Sequence, residues 1–172
     1  MKRILLHCCC APCSTSSIER LLEDGYAITL FYSNSNIFPQ DEFDKRLAYL
    51  EKLAQIYGLD LVVDNYDHDA WKKAVAGLED EPEKGRRCSV CFRFNLTRAA
   101  AKAEELGIEE FTTTLTVSPH KISQMIFDAA SGMLRYVPYN FKKRDGFKRS
   151  LELSAKYGLY RQEYCGCEYS RR

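Results

Sequence analysis

The chain has 172 residues, 45% of them hydrophobic, which is enough to bury a core without disulfide staples and fits one α/β-sized domain over 1–172. Only three apolar residues separate Met1-Lys2-Arg3 from His7, and no apolar run reaches the roughly 18 residues of a membrane span. A signal peptide and a membrane anchor are therefore not expected, and the cytoplasm is the expected location. The net charge of +1 excludes no partner by itself, but residues 141–172 carry 9 Lys/Arg against 4 Asp/Glu, whereas residues 1–140 carry 16 against 20. A basic end of this kind suits either a phosphate backbone or a solvated helix face.

In chain order, residues 2–8 read as a short buried strand through Ile4, Leu5 and Leu6. Pro12 suits a first helical turn, Ser14 and Ser16 offer caps, and Ile18, Leu21 and Leu22 carry helical spacing to Gly25. Residues 26–32 form a second strand, ending in the polar turn Ser33-Asn34-Ser35-Asn36. A long helix opens at Asp41, with Phe43, Leu47, Leu50, Leu53, Ala54 and Tyr57 on one face, and Gly58 closes it. Residues 59–63 read as a third strand. A short helix around Trp71 then runs into a charged loop, residues 77–87.

That loop delivers Cys88-Ser89-Val90-Cys91 to the start of a helix running to Leu106, so the two thiols sit at or just before its first turn. Residues 110–115 read as a fourth strand, 122–130 as a helix and 134–137 as a short fifth strand. The basic stretch 141–150 leads into a last helix through Tyr157. Strand and helix alternate without hairpin signals, so the expected fold is a three-layer, Rossmann-like α/β domain. Its sheet would be mostly parallel with about five strands, followed by a helical C-terminal extension. In such sheets ligands bind beyond the carboxyl ends of the strands, where strand order reverses.

The chemistry is concentrated in eight cysteines. In a reducing compartment they read as metal ligands or catalytic thiols rather than as a disulfide scaffold. They form three groups: Cys8-Cys9-Cys10 with Cys13, Cys88 with Cys91, and Cys165 with Cys167. Eight thiols are too many for one tetrahedral zinc. Thiolates suit iron–sulfur clusters equally well, and a four-cysteine cluster leaves thiols for a second metal or a redox pair. A thioredoxin-like exchange role for either C-x-x-C pair would leave the third group unexplained. Strand alternation points Cys8 away from Cys9, which marks Cys8 as a small buried hydrophobe. His7, inside the strand, reads as a core histidine, while His120 lies in a loop at the edge of the expected site. Asp80, beside Glu79 in the charged loop, is a candidate oxygen ligand or proton source. No glycine-rich phosphate loop is present, which disfavours ATP.

Six stretches stand out in order: Leu6-His7-Cys8-Cys9-Cys10-Ala11-Pro12-Cys13-Ser14, Gly77-Leu78-Glu79-Asp80-Glu81-Pro82, Arg87-Cys88-Ser89-Val90-Cys91-Phe92, Phe111-Thr112-Thr113-Thr114-Leu115-Thr116, the basic run from Phe141 to Ser150, and Tyr160-Arg161-Gln162-Glu163-Tyr164-Cys165-Gly166-Cys167. Together they resemble the QueH family of cobalamin-independent epoxyqueuosine reductases. The resemblance implies a fold akin to the adenine-nucleotide alpha-hydrolase-like group, a 4Fe-4S cluster with an adjacent mononuclear iron, and reduction of epoxyqueuosine at the tRNA wobble position. Its metal-binding cysteines fall on Cys9, Cys10, Cys13, Cys88, Cys91, Cys165 and Cys167, and Cys8 is again the odd one out. Asp80 or Lys142 would protonate the departing oxygen. Lys142, Lys143, Arg144, Lys148, Arg149 and Arg161 would grip phosphates of the anticodon loop, with residues 141–172 closing over the site of a monomer served by an external electron donor. Two other classes use the same residues: a zinc-stabilised nucleic-acid-binding module and a metal-free thiol–disulfide oxidoreductase.

Overall fold

The computed structural model describes residues 1–170, so the last two residues of the basic segment 141–172 lie outside the described residues. Four strands, β1 (Lys2–His7), β2 (Tyr26–Tyr32), β3 (Asp60–Val63) and β4 (Glu110–Thr113), form a wholly parallel sheet in the order β3-β2-β1-β4. The helices are α1 (Ala11–Glu23), α2 (Gln40–Tyr57), α3 (His68–Ala74), α4 (Arg86–Glu105), α5 (Ser123–Ala129) and α6 (Gly146–Tyr157), with a 3-10 turn at Thr114–Val117.

Strand periodicity sets the layers. Ile4 and Leu6 point to one face and pack with Ile18, Leu21, Leu50 and Leu53 of α1 and α2, while Leu5 points to the other and packs with Leu96, Ala99, Ala103 and Ile126 of α4 and α5. Burying both faces produces the continuous apolar run of β1. The chain lays β1, β2 and β3 outward in one direction and then crosses back to put β4 on the other side of β1. The reversal of strand order therefore lies between the carboxyl ends of β1 and β4, where the first cysteine group and the threonine turn both emerge. No helix among the described residues is long and apolar enough to cross a membrane.

Two local expectations are corrected. Residues 134–137 do not form a fifth strand but make one parallel bridge, Tyr136 to Phe111, with Val137 N donating to Phe111 O at 2.8 Å. The next donor in register, Tyr139 N, turns back to Val137 O at 2.8 Å, so the ladder ends there. Ser14 and Ser16 do not cap α1. Cys10 is the N-cap and contributes no side-chain bond, while Ser14 lies inside the first turns and donates its hydroxyl to Cys10 O at 2.6 Å.

Candidate metal centre

The site is built on the end of β1. His7 is fully buried between β4 and the turn after β2. Its Nε2 lies 3.0 Å from Ser33 O and its Nδ1 2.8 Å from Thr113 Oγ1. A carbonyl only accepts, so Nε2 carries the proton and Nδ1 accepts from the threonine hydroxyl. Burial pushes the imidazole pKa down and holds this neutral form. One side chain thus ties the carboxyl ends of three strands together. Cys8 follows as core: its thiol donates to Leu6 O, and burial pushes its pKa up to about 12.

Past Cys8 the chain turns into α1 and converges three thiols. The Sγ atoms of Cys9, Cys10 and Cys13 all lie within 4.8 Å of one another, with Cys9 and Cys10 3.9 Å apart. Thr114, from the turn after β4, fixes the first of them. Its hydroxyl accepts from Cys9 N at 3.1 Å and donates to Cys9 Sγ at 3.2 Å. Hydrogen bonds from Cys10 and Cys13, together with the nearby Lys121 ammonium and the Thr114 hydroxyl, pull the Cys9 pKa well down against burial, whereas the bonds it makes to Cys10 and Cys9 hold Cys13 protonated. Cys9 is thus the most acidic thiol of the triad, and a metal ion would displace protons from the three.

A cavity of about 690 Å³ opens beside the triad. Cys9 and Cys13 line it from the first turn, Cys88 and Cys91 from α4, and Cys165 and Cys167 from the C-terminal segment. Cys10 is buried behind its neighbours. All eight cysteines are free thiols. Cys88 and Cys91 stand in the first two turns of α4, slightly deeper in the helix than their spacing suggests. Burial pushes the Cys91 pKa up, as it does for Cys167.

The C-terminal wall is held by a buried cation. Arg46 of α2, 2% exposed, donates from Nη1 to Cys165 O and from Nη2 to Tyr164 O, both at 3.0 Å, and pairs with Glu42 through Nε. Gly166, between the two cysteines, has φ +113°, and its carbonyl accepts from Phe38 N at 2.9 Å. A Cβ there would sit 2.8 Å from Ile37 Cγ1, so only glycine permits the turn. A second buried guanidinium, Arg87, donates to the carbonyls of Leu78, Glu79 and Glu81 and folds the charged loop against the start of α4.

The other sequence candidates are more dispersed. Asp80 is exposed on the outer loop and is not among the residues lining the cavity. Lys142 donates to Ser123 Oγ at 2.8 Å, and burial, then repulsion from Lys121, lowers its pKa. Arg161 lines the metal-site cavity with its guanidinium 5.7 Å from the Phe147 ring. Lys143, Arg144, Lys148 and Arg149 line a neighbouring groove of about 440 Å³. Arg149 is committed there to Glu19 and Glu152. His120 lines the cavity.

Sequence reasoning missed Lys121, which lines the same cavity. Burial would lower its pKa, but the sulfur atoms of Cys9, Cys165, Cys13 and Cys10 outweigh burial and raise it. Its place in the turn after β4, at the strand-order reversal, was the available signal.

Comparison with known proteins agrees with this architecture. The family model described as Epoxyqueuosine reductase QueH matches residues 4–172. Proteins of that name from Streptococcus pyogenes and Acinetobacter baylyi are each 40% identical, over 98% of this chain and 70% of the first, and over 99% and 81% for the second. The Thermotoga maritima protein is 33% identical over 99% of this chain and 91% of its own length. Among solved structures, the predicted subunit of a tRNA methyltransferase from Methanocaldococcus jannaschii superposes with TM-score 0.62 at 16% identity, covering 90% of this chain and 75% of that one. The U34-tRNA thiolase NcsA from Methanococcus maripaludis, with its [4Fe-4S] cluster, superposes with TM-score 0.60 at 12% identity, covering 99% and 62%. These two likenesses establish the parallel α/β fold, and the family match with the near full-length relatives establishes the family: the chain belongs to the epoxyqueuosine reductase QueH family.

Proposed function

We propose that this epoxyqueuosine reductase acts on the wobble nucleotide of tRNA, holding a 4Fe-4S cluster on Cys9, Cys10 and Cys13 and a further mononuclear iron against Cys88, Cys91, Cys165 and Cys167. The observation that carries the reading is the convergence of three thiols within 4.8 Å at the strand-order reversal, in a cavity whose other walls bring four more. The donor set fits such a group: sulfur ligands only, the Cys9 thiol made more acidic by its neighbours, with Lys121 to balance charge. Trp71 packs in one apolar cluster with Cys91 and Cys167, and its buried N–H acts on the Cys91 thiol, opposing the rise that burial imposes there, as suits a sulfur that a metal would make anionic. The [4Fe-4S] cluster of the similarly folded thiolase, which acts on tRNA, adds support.

Reduction removes the epoxide oxygen as water: two C–O bonds break, a C=C bond forms, and two electrons and two protons are consumed. When bound, the iron sites supply single electrons and a Lewis acid for the oxygen, and an external donor refills them. The chain's own residues supply charge, protons and position. Lys121, lining the cavity among the thiols, holds a proton beside the departing oxygen, and Lys142 and Asp80 are the further proton sources. Arg161 at the cavity, and Lys142, Lys143, Arg144, Lys148 and Arg149 along the adjoining face, hold anticodon-loop phosphates, with Arg149 contributing least because two glutamates already engage it. The basic segment 141–172 closes the cavity of a single-domain monomer.

Oxygen-free purification followed by iron, sulfide and zinc analysis, an absorption spectrum and turnover of epoxyqueuosine-containing tRNA tests the reading. A coloured protein with iron and sulfide that yields queuosine is expected. A colourless protein holding zinc would favour a nucleic-acid-binding module, and a metal-free protein with a titratable dithiol would favour thiol exchange.

A further inference from the structure

One part of the cavity wall is needed by neither the thiols nor the core. Asn95 lies on α4 four residues beyond Cys91 and seven beyond Cys88, a spacing that puts all three on one helical stripe, and all three line the cavity. It is 2% exposed. Its Nδ2 donates to Asn36 Oδ1 at 3.1 Å, while its Oδ1 is buried without a partner among the described residues. Asn36, from the turn after β2, lines the same cavity, and its Nδ2 likewise makes no hydrogen bond among the described residues.

The pair thus joins one amide nitrogen to one amide oxygen and leaves its other nitrogen and its other oxygen without a partner among the described residues. Turning both amides over exchanges their roles but leaves that sum unchanged. A buried acceptor with no partner is costly, and a ligand that supplies the partner removes the cost. The missing group must donate and accept at neighbouring points, as a hydroxyl does. Amides also suit this wall better than carboxylates, because they add no negative charge beside thiolates.

On the reading of the cavity as the site of epoxide reduction, which this inference requires, the part of the substrate nearest the α4 thiols is the five-membered ring bearing the epoxide and two hydroxyls. We propose that the Asn36–Asn95 amide pair is the subsite that hydrogen-bonds those ring hydroxyls and so selects and orients the ring against the metal-site wall.

The test uses wild type and the variants Asn95→Leu, Asn95→Asp and Asn36→Ala, each loaded with iron. Each is titrated with two tRNAs differing at the wobble base: one carries epoxyqueuosine, the other 7-aminomethyl-7-deazaguanine, which has the same base and no ring. In Asn95→Leu and Asn36→Ala the affinity for the epoxyqueuosine tRNA should fall about tenfold to a hundredfold, with KM rising in parallel. Affinity for the ringless tRNA, iron content and absorption spectrum should stay at wild-type values, and Asn95→Asp, which keeps an acceptor, should recover part of the loss. If Asn95→Leu folds poorly, Asn36→Ala, whose site is in a turn, gives the same reading. Unchanged affinities, or equal weakening of both tRNAs, would overturn the subsite while leaving the reductase assignment intact. A wild-type protein that does not reduce epoxyqueuosine would overturn both.

Discussion

Replacing Arg46 with methionine should release the C-terminal wall of the cavity while leaving the sheet folded. The guanidinium is almost fully enclosed and makes its two bonds to the carbonyls of Tyr164 and Cys165, both at 3.0 Å. Methionine fills much of the same space, so the loss is mainly polar. Hydrogen bonds from a charged donor contribute about 1.5–3 kcal/mol each, which places the loss at about 3–5 kcal/mol after partial repacking. Because the bonds bridge α2 and the segment around residues 164–167, the penalty falls on docking of that segment. Its detached fraction should rise by about two to three and a half orders of magnitude. Amide hydrogen exchange read by mass spectrometry should show residues 160–170 losing protection while β1 and β2 keep theirs, and iron content should drop. Wild-type exchange in that segment together with a full iron load would refute the reasoning.

Other substitutions separate the roles of neighbouring residues. Gly166→Ala should mimic Arg46→Met in hydrogen exchange, because its Cβ would press on Ile37 in a backbone region that disfavours side chains. Cys8→Ala should cost about 1 kcal/mol in urea unfolding and leave the iron load unchanged, whereas Cys13→Ala should lose iron. Cys88→Ala should abolish reduction while tRNA binding, measured by filter retention, stays near wild type. Below its ordinary value of 6.5 the unfolded His7 takes up a proton that the buried one refuses, so stability present at neutral pH is lost as pH falls. Wild type should therefore lose about 1 kcal/mol more than His7→Gln between pH 6.5 and 5.5 in parallel urea titrations; parallel curves would show that His7 titrates alike in both states.

Much of this was legible because the cues were local. The apolar run Ile4-Leu5-Leu6 can only be a strand buried on both faces, and alternation alone set Cys8 apart from Cys9. Parallel topology followed from strand–helix alternation, and topology in turn put the first cysteine group and the threonine turn at one edge. The short segment before Pro138 misled because β-propensity speaks for one residue at a time, whereas a ladder needs several donors in register, and Tyr139 N turns back to Val137 O instead. Ser14 looked like a cap because its hydroxyl suits one, yet the helix already starts at Ala11 with Pro12 in its first turn, three residues ahead of it. Arg46, Arg87 and the Asn36–Asn95 pair carried no readable pattern, and Lys121 carried only its place in the turn after β4. A long cationic side chain reads as solvent-facing until a distant carbonyl or sulfur encloses it, and sequence spacing does not encode that distance.

The Arg46 latch also bears on how the protein is assembled. Thiols at positions 9–13 and 88–91 leave the ribosome well before those at 165 and 167, so for part of its synthesis the nascent chain has two sides of its cofactor chamber and no third. Iron delivered in that interval meets two sulfur walls; delivered later, it meets all three, the last held in place by one guanidinium on two carbonyls.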